Sequence, residues 1–261
     1  MIEDIRYPKV NWFLFALLIL LMFGMLLYFD RAVAAEPDAK AAAMAHKTMD
    51  MMGGLNAWKQ VVAIRFNFQV EHKDAPPRSV KHLWDRKNNR DHVEGPKDGK
   101  PMIAWVDLGT RKGMAWLDGE PLAGEDLNKA MEWAYGRWVN DTYWLIMPFK
   151  LLDSGVNLDY AGVKEGRDVL HLSFGKVGLT PGDQYWAYLN KDTGLMEKWD
   201  FLLEDGEKGT WEWKNWDACG PVKLSSYKTS ADGTAIHFVP LKVMDSADSA
   251  YFGNDLKLLS D

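Results

Sequence analysis

The chain has 261 residues, 47% hydrophobic and 26% charged, with a formal net charge of −6. These proportions exclude a disordered, collagen-like or low-complexity chain, and the acidic balance argues against a nucleic-acid binder, which needs a basic surface to track phosphates. One cysteine, Cys219, excludes an intramolecular disulfide, and the 13 tryptophans are the unusual number.

Residues 12–29 carry no charge, and all but Gly24 are hydrophobic. Such a run is at the lower limit for a membrane-spanning helix and longer than the apolar core of an ordinary secretory signal. Ala32-Val33-Ala34 before Ala35 fits an A-x-A cleavage site, whereas the length of the run fits an uncleaved anchor through residues 12–29. Both readings of residues 1–35, signal peptide or transmembrane anchor, stay open. Arg6 and Lys9 precede the run, so either way residues 36–261 are expected on the exported side, in the periplasm or on the periplasmic face of the inner membrane. The first 35 residues hold three basic and three acidic side chains, so the charge of −6 belongs to the exported part.

From Asp38 to Met52 good helix formers predominate, ended by Gly53-Gly54. The period then changes to two. Ile64, Phe66, Phe68, Val70 and His72 alternate with Arg65, Asn67, Gln69 and Glu71, which predicts a half-buried strand. Further strands are expected at Ser79–Arg86, Arg90–Glu94, Met102–Leu108 and Arg111–Leu117, with turns near Ala75–Pro77 and Lys87–Asn89. Glu125–Met147 reads as a helix, with Leu127, Met131, Tyr135 and Trp138 at helical spacing, ended by Met147-Pro148. Seven more strands follow: Val156–Val163, Asp168–Phe174, Gln184–Leu189, Leu195–Glu204, Thr210–Trp216, Val222–Thr229 and Ala235–Met244. With no linker between the two groups, residues 36–261 read as one mainly β domain. It is a curved antiparallel half-barrel of about 11–12 strands, with an N-terminal helix and a helical lid insertion at about 121–150.

A sheet of so many strands must curl, and its concave face is then filled by side chains or by a ligand. Each tryptophan taken singly reads as core or as a cross-strand pair. Together they suggest more inward apolar surface than short helices cover, hence a cavity for an apolar ligand. The expected lining is Phe66, Phe68, Trp84, Trp105, Trp116, Trp133, Tyr143, Trp144, Phe149, Trp186 and Trp199.

No catalytic or metal constellation stands out. His72, His82 and His92 lie on consecutive strands, but the expected turns pair His72 near Ser79 and His92 near Trp84, so they do not converge, and no carboxylate–histidine cluster is expected. GxSxG and a Gly-rich phosphate loop are absent, Ser154 has no histidine nearby in sequence, and pairs such as Asp153 and Asp159 or Asp183 and Glu197 read as solvated turns. No cofactor is expected.

Asn140–Val156 and Phe174–Phe201, with Met52–Trp58 and His82–Gly95, resemble a group of exported bacterial proteins placed with the outer-membrane lipoprotein-sorting (LolA/LolB-like) carriers, over about residues 40–252. The resemblance implies a helix-closed half-barrel whose interior holds the acyl chains of a lipid or lipoprotein, without enzymatic activity. Within it, Tyr143, Trp144 and Phe149 would close the cavity at the lid base, and Asn140, Asp141 and Lys150 would either hydrogen-bond the lid or touch a ligand head group. An envelope interaction module with a self-filled core and a hydrolase of envelope lipids or glycans remain alternatives.

Overall fold

The structure is a computed structural model that describes residues 38–175 and 182–260. The expectations for residues 1–37 lie outside them. Helix α1 spans Ala39–Met51, with Asp38 at its N-cap accepting from the Ala41 amide at 2.8 Å. The Gly-Gly stop is followed by a helix that the sequence reading lacked, α2 at Gly54–Gln60. Gly53 sits at φ 110°, and a Cβ there would lie 2.6 Å from the Pro221 carbonyl oxygen, so only glycine lets this turn approach the sheet.

The strands are β1 Ala63–His72, β2 Ala75–Asp85, β3 Arg90–Lys97, β4 Lys100–Asp107, β5 Gly113–Leu117 and β6 Glu120–Pro121. After helix α3 (Gly124–Ile146) and a 3₁₀ turn at Met147–Lys150 come β7 Val156–Lys164, β8 Arg167–Phe174, β9 Gln184–Leu189, β10 Met196–Leu202, β11 Lys208–Cys219, β12 Val222–Ser230 and β13 Ala235–Met244. They form one antiparallel sheet of 13 strands in the order β6-β5-β4-β3-β2-β1-β13-β12-β11-β10-β9-β8-β7, open at β6 and β7. The half-barrel expected from the sequence is thus present, with the short β6 as an extra strand.

This order decides where α3 must run. Two meanders meet through the pairing of β1 with β13, so β6 and β7 lie at opposite edges and the chain between them has to cross the sheet. Thirteen strands laid flat would span about 58 Å, whereas the 23 residues of α3 reach only about 34 Å. The sheet therefore curls towards the helix. The concave side carries the main core, including Ile64, Phe66, Val93, Ala104, Ala130, Leu145, Leu170, Trp199 and Phe238.

Two details differ from expectation. The first hairpin turns at Lys73-Asp74 and pairs His72 with Ala75, so Pro76 and Pro77 are in β2. The β2–β3 pairing covers only Lys81–Asp85 on β2, so no second neighbour requires the missing proline N–H groups. Second, β1 is covered on both faces over Ala63–Phe68, with Arg65 and Asn67 buried. The C-terminal segment lies on the outer face. Phe252 and Leu259 pack on Leu83, and Arg65 Nη2 donates to the Ser260 carbonyl at 3.1 Å.

Candidate functional site

The middle of α3 is pinned to the sheet by buried charges. Asp141 Oδ2 accepts from His82 Nε2 at 2.9 Å, and His82 Nδ1 donates to Asp91 Oδ2 at 2.8 Å, all three side chains being fully buried. Arg137, one turn before Asp141, donates to the same Oδ2 at 2.6 Å, and Asn140 Nδ2 donates to Oδ1 at 2.8 Å. The Phe66 ring stacks on His82 at 4.7 Å between centroids. Burial alone would lower the His82 pKa, but Asp91 and Asp141 outweigh it and raise it to about 9. Burial raises the Asp91 carboxyl too, with His82 opposing. Histidine and arginine thus balance two carboxylates, and the proton stays on the imidazole at neutral pH.

This arrangement holds the helix rather than performing chemistry. Both ring nitrogens of His82 are taken by carboxylates, so neither is left to accept a proton from a substrate. Asp141 and Asn140 hydrogen-bond the helix, one of the two roles open to them in the sequence. Lys150 pairs with Asp153 instead.

The carboxylate–histidine cluster, which the spacing did not reveal, depends on one residue of register. His92 pairs with Leu83, not Trp84, which puts His82 opposite Val93 and diagonal to Asp91 on the inner face. His92 points outwards, bonded to the Tyr251 carbonyl at 2.8 Å. Among the described residues no group of three metal-ligating side chains forms a metal site.

Aromatic rings fill the space to either side of this anchor. At one end Trp58 of α2 stacks on Phe149 at 4.7 Å, and Trp84 meets Trp138 of α3 at 5.8 Å. At the other, Trp144 of α3 meets Trp199 at 4.5 Å and Trp211 at 5.0 Å, and Trp199 lies 5.2 Å from both Tyr185 and Trp213. Of the expected lining, Phe66, Phe68, Trp84, Trp133, Tyr143, Trp144, Phe149 and Trp199 belong to this interior.

Three of the expected residues lie elsewhere. Trp105 is on the outer face, its Nε1 donating to the Gly253 carbonyl at 2.8 Å under the C-terminal segment. Trp116 pairs with Ile103 and so shares that face. Trp186 stacks on His171 at 5.0 Å and lines an open outer groove with Lys164, Asp200 and Lys208.

The sequence reading also passed over Lys228 of β12, which is fully buried on the inner face. Its register partners are Trp213 and Ile236, and its Nζ lies 4.4 Å from the Trp213 ring and 4.3 Å from that of Phe238. Nζ donates to the Ser225 carbonyl, and no described carboxylate pairs with it. Burial alone pushes its pKa well below the usual lysine value. Val222 and Leu224 fall on the same alternation, so a charged residue at an apolar position was the available signal. Replacing Lys228 by methionine is expected to raise the unfolding free energy by about 2 kcal/mol, because a desolvated amine becomes an apolar side chain of similar length. Urea unfolding near neutral pH measures this, and an unchanged or lower value would contradict the solitary burial of the amine.

No family model and no curated protein matches the chain. Among solved structures it is similar to a LolA superfamily protein from Nitrosomonas europaea, at 12% identity and TM-score 0.46, covering 82% of this chain and 97% of that one. A DUF1329 family protein from Desulfovibrio piger gives 13% identity, TM-score 0.48 and coverage of 82% and 97%. An outer-membrane lipoprotein-sorting protein domain from Vibrio parahaemolyticus gives 14%, 0.44, and 82% and 96%. Two of these three structures carry a lipoprotein-sorting or LolA name, as the sequence blocks suggested.

Proposed function

We propose that this protein is a non-enzymatic carrier of the bacterial cell envelope that takes an apolar chain, from a lipid or a lipoprotein, between α3 and the concave face of the sheet. The observation that carries this reading is the aromatic seam beneath the C-terminal half of α3. There Tyr143 and Trp144 lean on Tyr185, Trp199 and Trp211 through ring contacts, whereas the buried ion pairs lie a turn earlier at Arg137 and Asp141. Most of the free energy of such contacts is apolar burial and dispersion, which any apolar partner supplies, so an acyl chain can replace one set with another. Burying ten methylenes contributes about 8 kcal/mol before the cost of association, enough for useful affinity. The envelope setting rests on the sequence resemblance and on the export expected from residues 1–35.

A self-filled core is the second reading, and one observation favours it: Trp199 and Trp213 are 1% and 2% exposed, so the interior is occupied by the protein's own rings. A hydrolytic reading has no such support, because His82, buried between Asp91 and Asp141, has no free ring nitrogen.

Native mass spectrometry of protein purified from an envelope fraction, with titration of hexadecanoate followed by tryptophan fluorescence, tests the proposal. Co-purifying lipid, or a saturable fluorescence change at micromolar ligand, is expected. Absence of both would leave the self-filled core standing.

A further inference from the structure

The interior holds hydrogen-bond donors that lack acceptors. Among the described residues Lys228 Nζ has one hydrogen-bond acceptor, the Ser225 carbonyl. The neighbouring indole Nε1 atoms of Trp213 and Trp199 are buried and have no hydrogen-bond partner. These groups stand on adjacent strands β12, β11 and β10: Lys228 pairs with Trp213, whose ring centroid is 5.2 Å from that of Trp199. The two indoles can only donate, and the lysine beside them has no carboxylate partner among the described residues. A buried donor without an acceptor is costly, and a cluster of such donors is complementary to an anion.

From this, and resting on the carrier reading above, we propose that the apolar ligand bears an anionic head group, a fatty-acid carboxylate, and that Lys228 is its counter-ion inside the protein. The aromatic seam would take the chain, and the Lys228 amine with the nearby indoles would supply donors to the carboxylate oxygens. A carboxylate suits the place better than a phosphodiester, because Lys228 lies fully buried between Trp213 and Phe238 and a larger polar head would bring further groups needing partners. Entry requires α3 to give way at Trp144, which covers Trp199.

The test compares ligands of one chain length on the full-length protein: hexadecanoate, 1-hexadecanol and 1-hexadecanoyl-lysophosphatidate, titrated by tryptophan fluorescence against wild type and Lys228→Met. Wild type is expected to bind hexadecanoate at least about tenfold tighter than hexadecanol, the worth of one charge-assisted hydrogen bond, and K228M to lose that preference while keeping its hexadecanol affinity. Equal binding of acid and alcohol by wild type would overturn the counter-ion role and leave the carrier reading intact. Tighter binding of lysophosphatidate than of hexadecanoate would overturn the carboxylate assignment. Failure to bind any of the three would overturn the counter-ion role, and together with the absence of co-purifying lipid it would overturn the carrier reading as well. If K228M does not fold, Lys228→Gln makes the same comparison, and the acid–alcohol contrast in wild type decides the matter in either case.

Discussion

Replacing Asp141 by alanine is expected to lower the unfolding free energy by about 3–5 kcal/mol, the cost of leaving buried charge unpaired. Asp141 is the link between α3 and the sheet: its Oδ2 serves both His82 and Arg137. Without it, Arg137 loses its carboxylate and His82 keeps only Asp91. Asp141→Asn keeps the shape and some hydrogen bonds, so it should cost less than the alanine. Asp153→Ala, which breaks the exposed pair with Lys150, should cost under about 1 kcal/mol. Urea unfolding at pH 7 compares the three, and a loss below about 1 kcal/mol in D141A would mean that the cluster does not hold the helix.

The same cluster sets a pH dependence. His82 is raised from 6.5 to about 9 in the folded protein. A raised histidine contributes fully below its unfolded value, so its contribution of about 3 kcal/mol is present at pH 6 and lost as the pH climbs through 9. Asp91, also raised, has the same sign. Lys228, lowered by burial, has the opposite sign, so the quantity to follow is the difference between wild type and His82→Gln, in which the lysine cancels. That difference should shrink between pH 6 and pH 9.5.

Trp199→Ala is the second large effect, again about 3–5 kcal/mol, from lost burial and the cavity left behind. Trp199 is 1% exposed and touches Tyr143, Trp144, Tyr185, Phe201 and Trp213, so α3 and the two strands flanking β10 all lose a partner at once. Trp199→Phe retains much of the area and should cost less than half as much. Guanidinium denaturation followed by far-ultraviolet circular dichroism measures both without relying on the fluorescence that the substitution removes. A loss in W199A similar to that of an exposed substitution would show that the seam is loosely packed.

Much of the fold was legible because it is written in local periods. The alternation of Ile64, Phe66 and Phe68 marked β1, and the helical spacing of Met131, Tyr135 and Trp138 marked α3. Aromatic placement found eight of the interior residues, four on the strands and four on α3 and the turn after it, because bulky apolar side chains of both layers gather in the space between them. It failed at Trp105, Trp116 and Trp186 because alternation separates two faces without saying which one is concave. Trp105 is half-buried from outside by the C-terminal segment, which no period announces.

The chemistry of the site was less legible. His82 and Asp91 are nine residues apart, but whether they share a face turns on a single step of register, and Asp141 is 59 residues from His82 in sequence. Lys228 stood in plain view as a charge on an apolar alternation.

The sequence by itself determined the elements, the antiparallel meanders and the apolar character of the interior, because each follows from contacts between residues close along the chain. Tertiary structure alone decided that α3 crosses the sheet, that His82 and Asp91 of the sheet meet Arg137 and Asp141 of the helix, and that Lys228 is shut in between Trp213 and Phe238. Those outcomes depend on register and on which long-range surfaces are covered, and their free energy arises only when water is excluded from both partners at once.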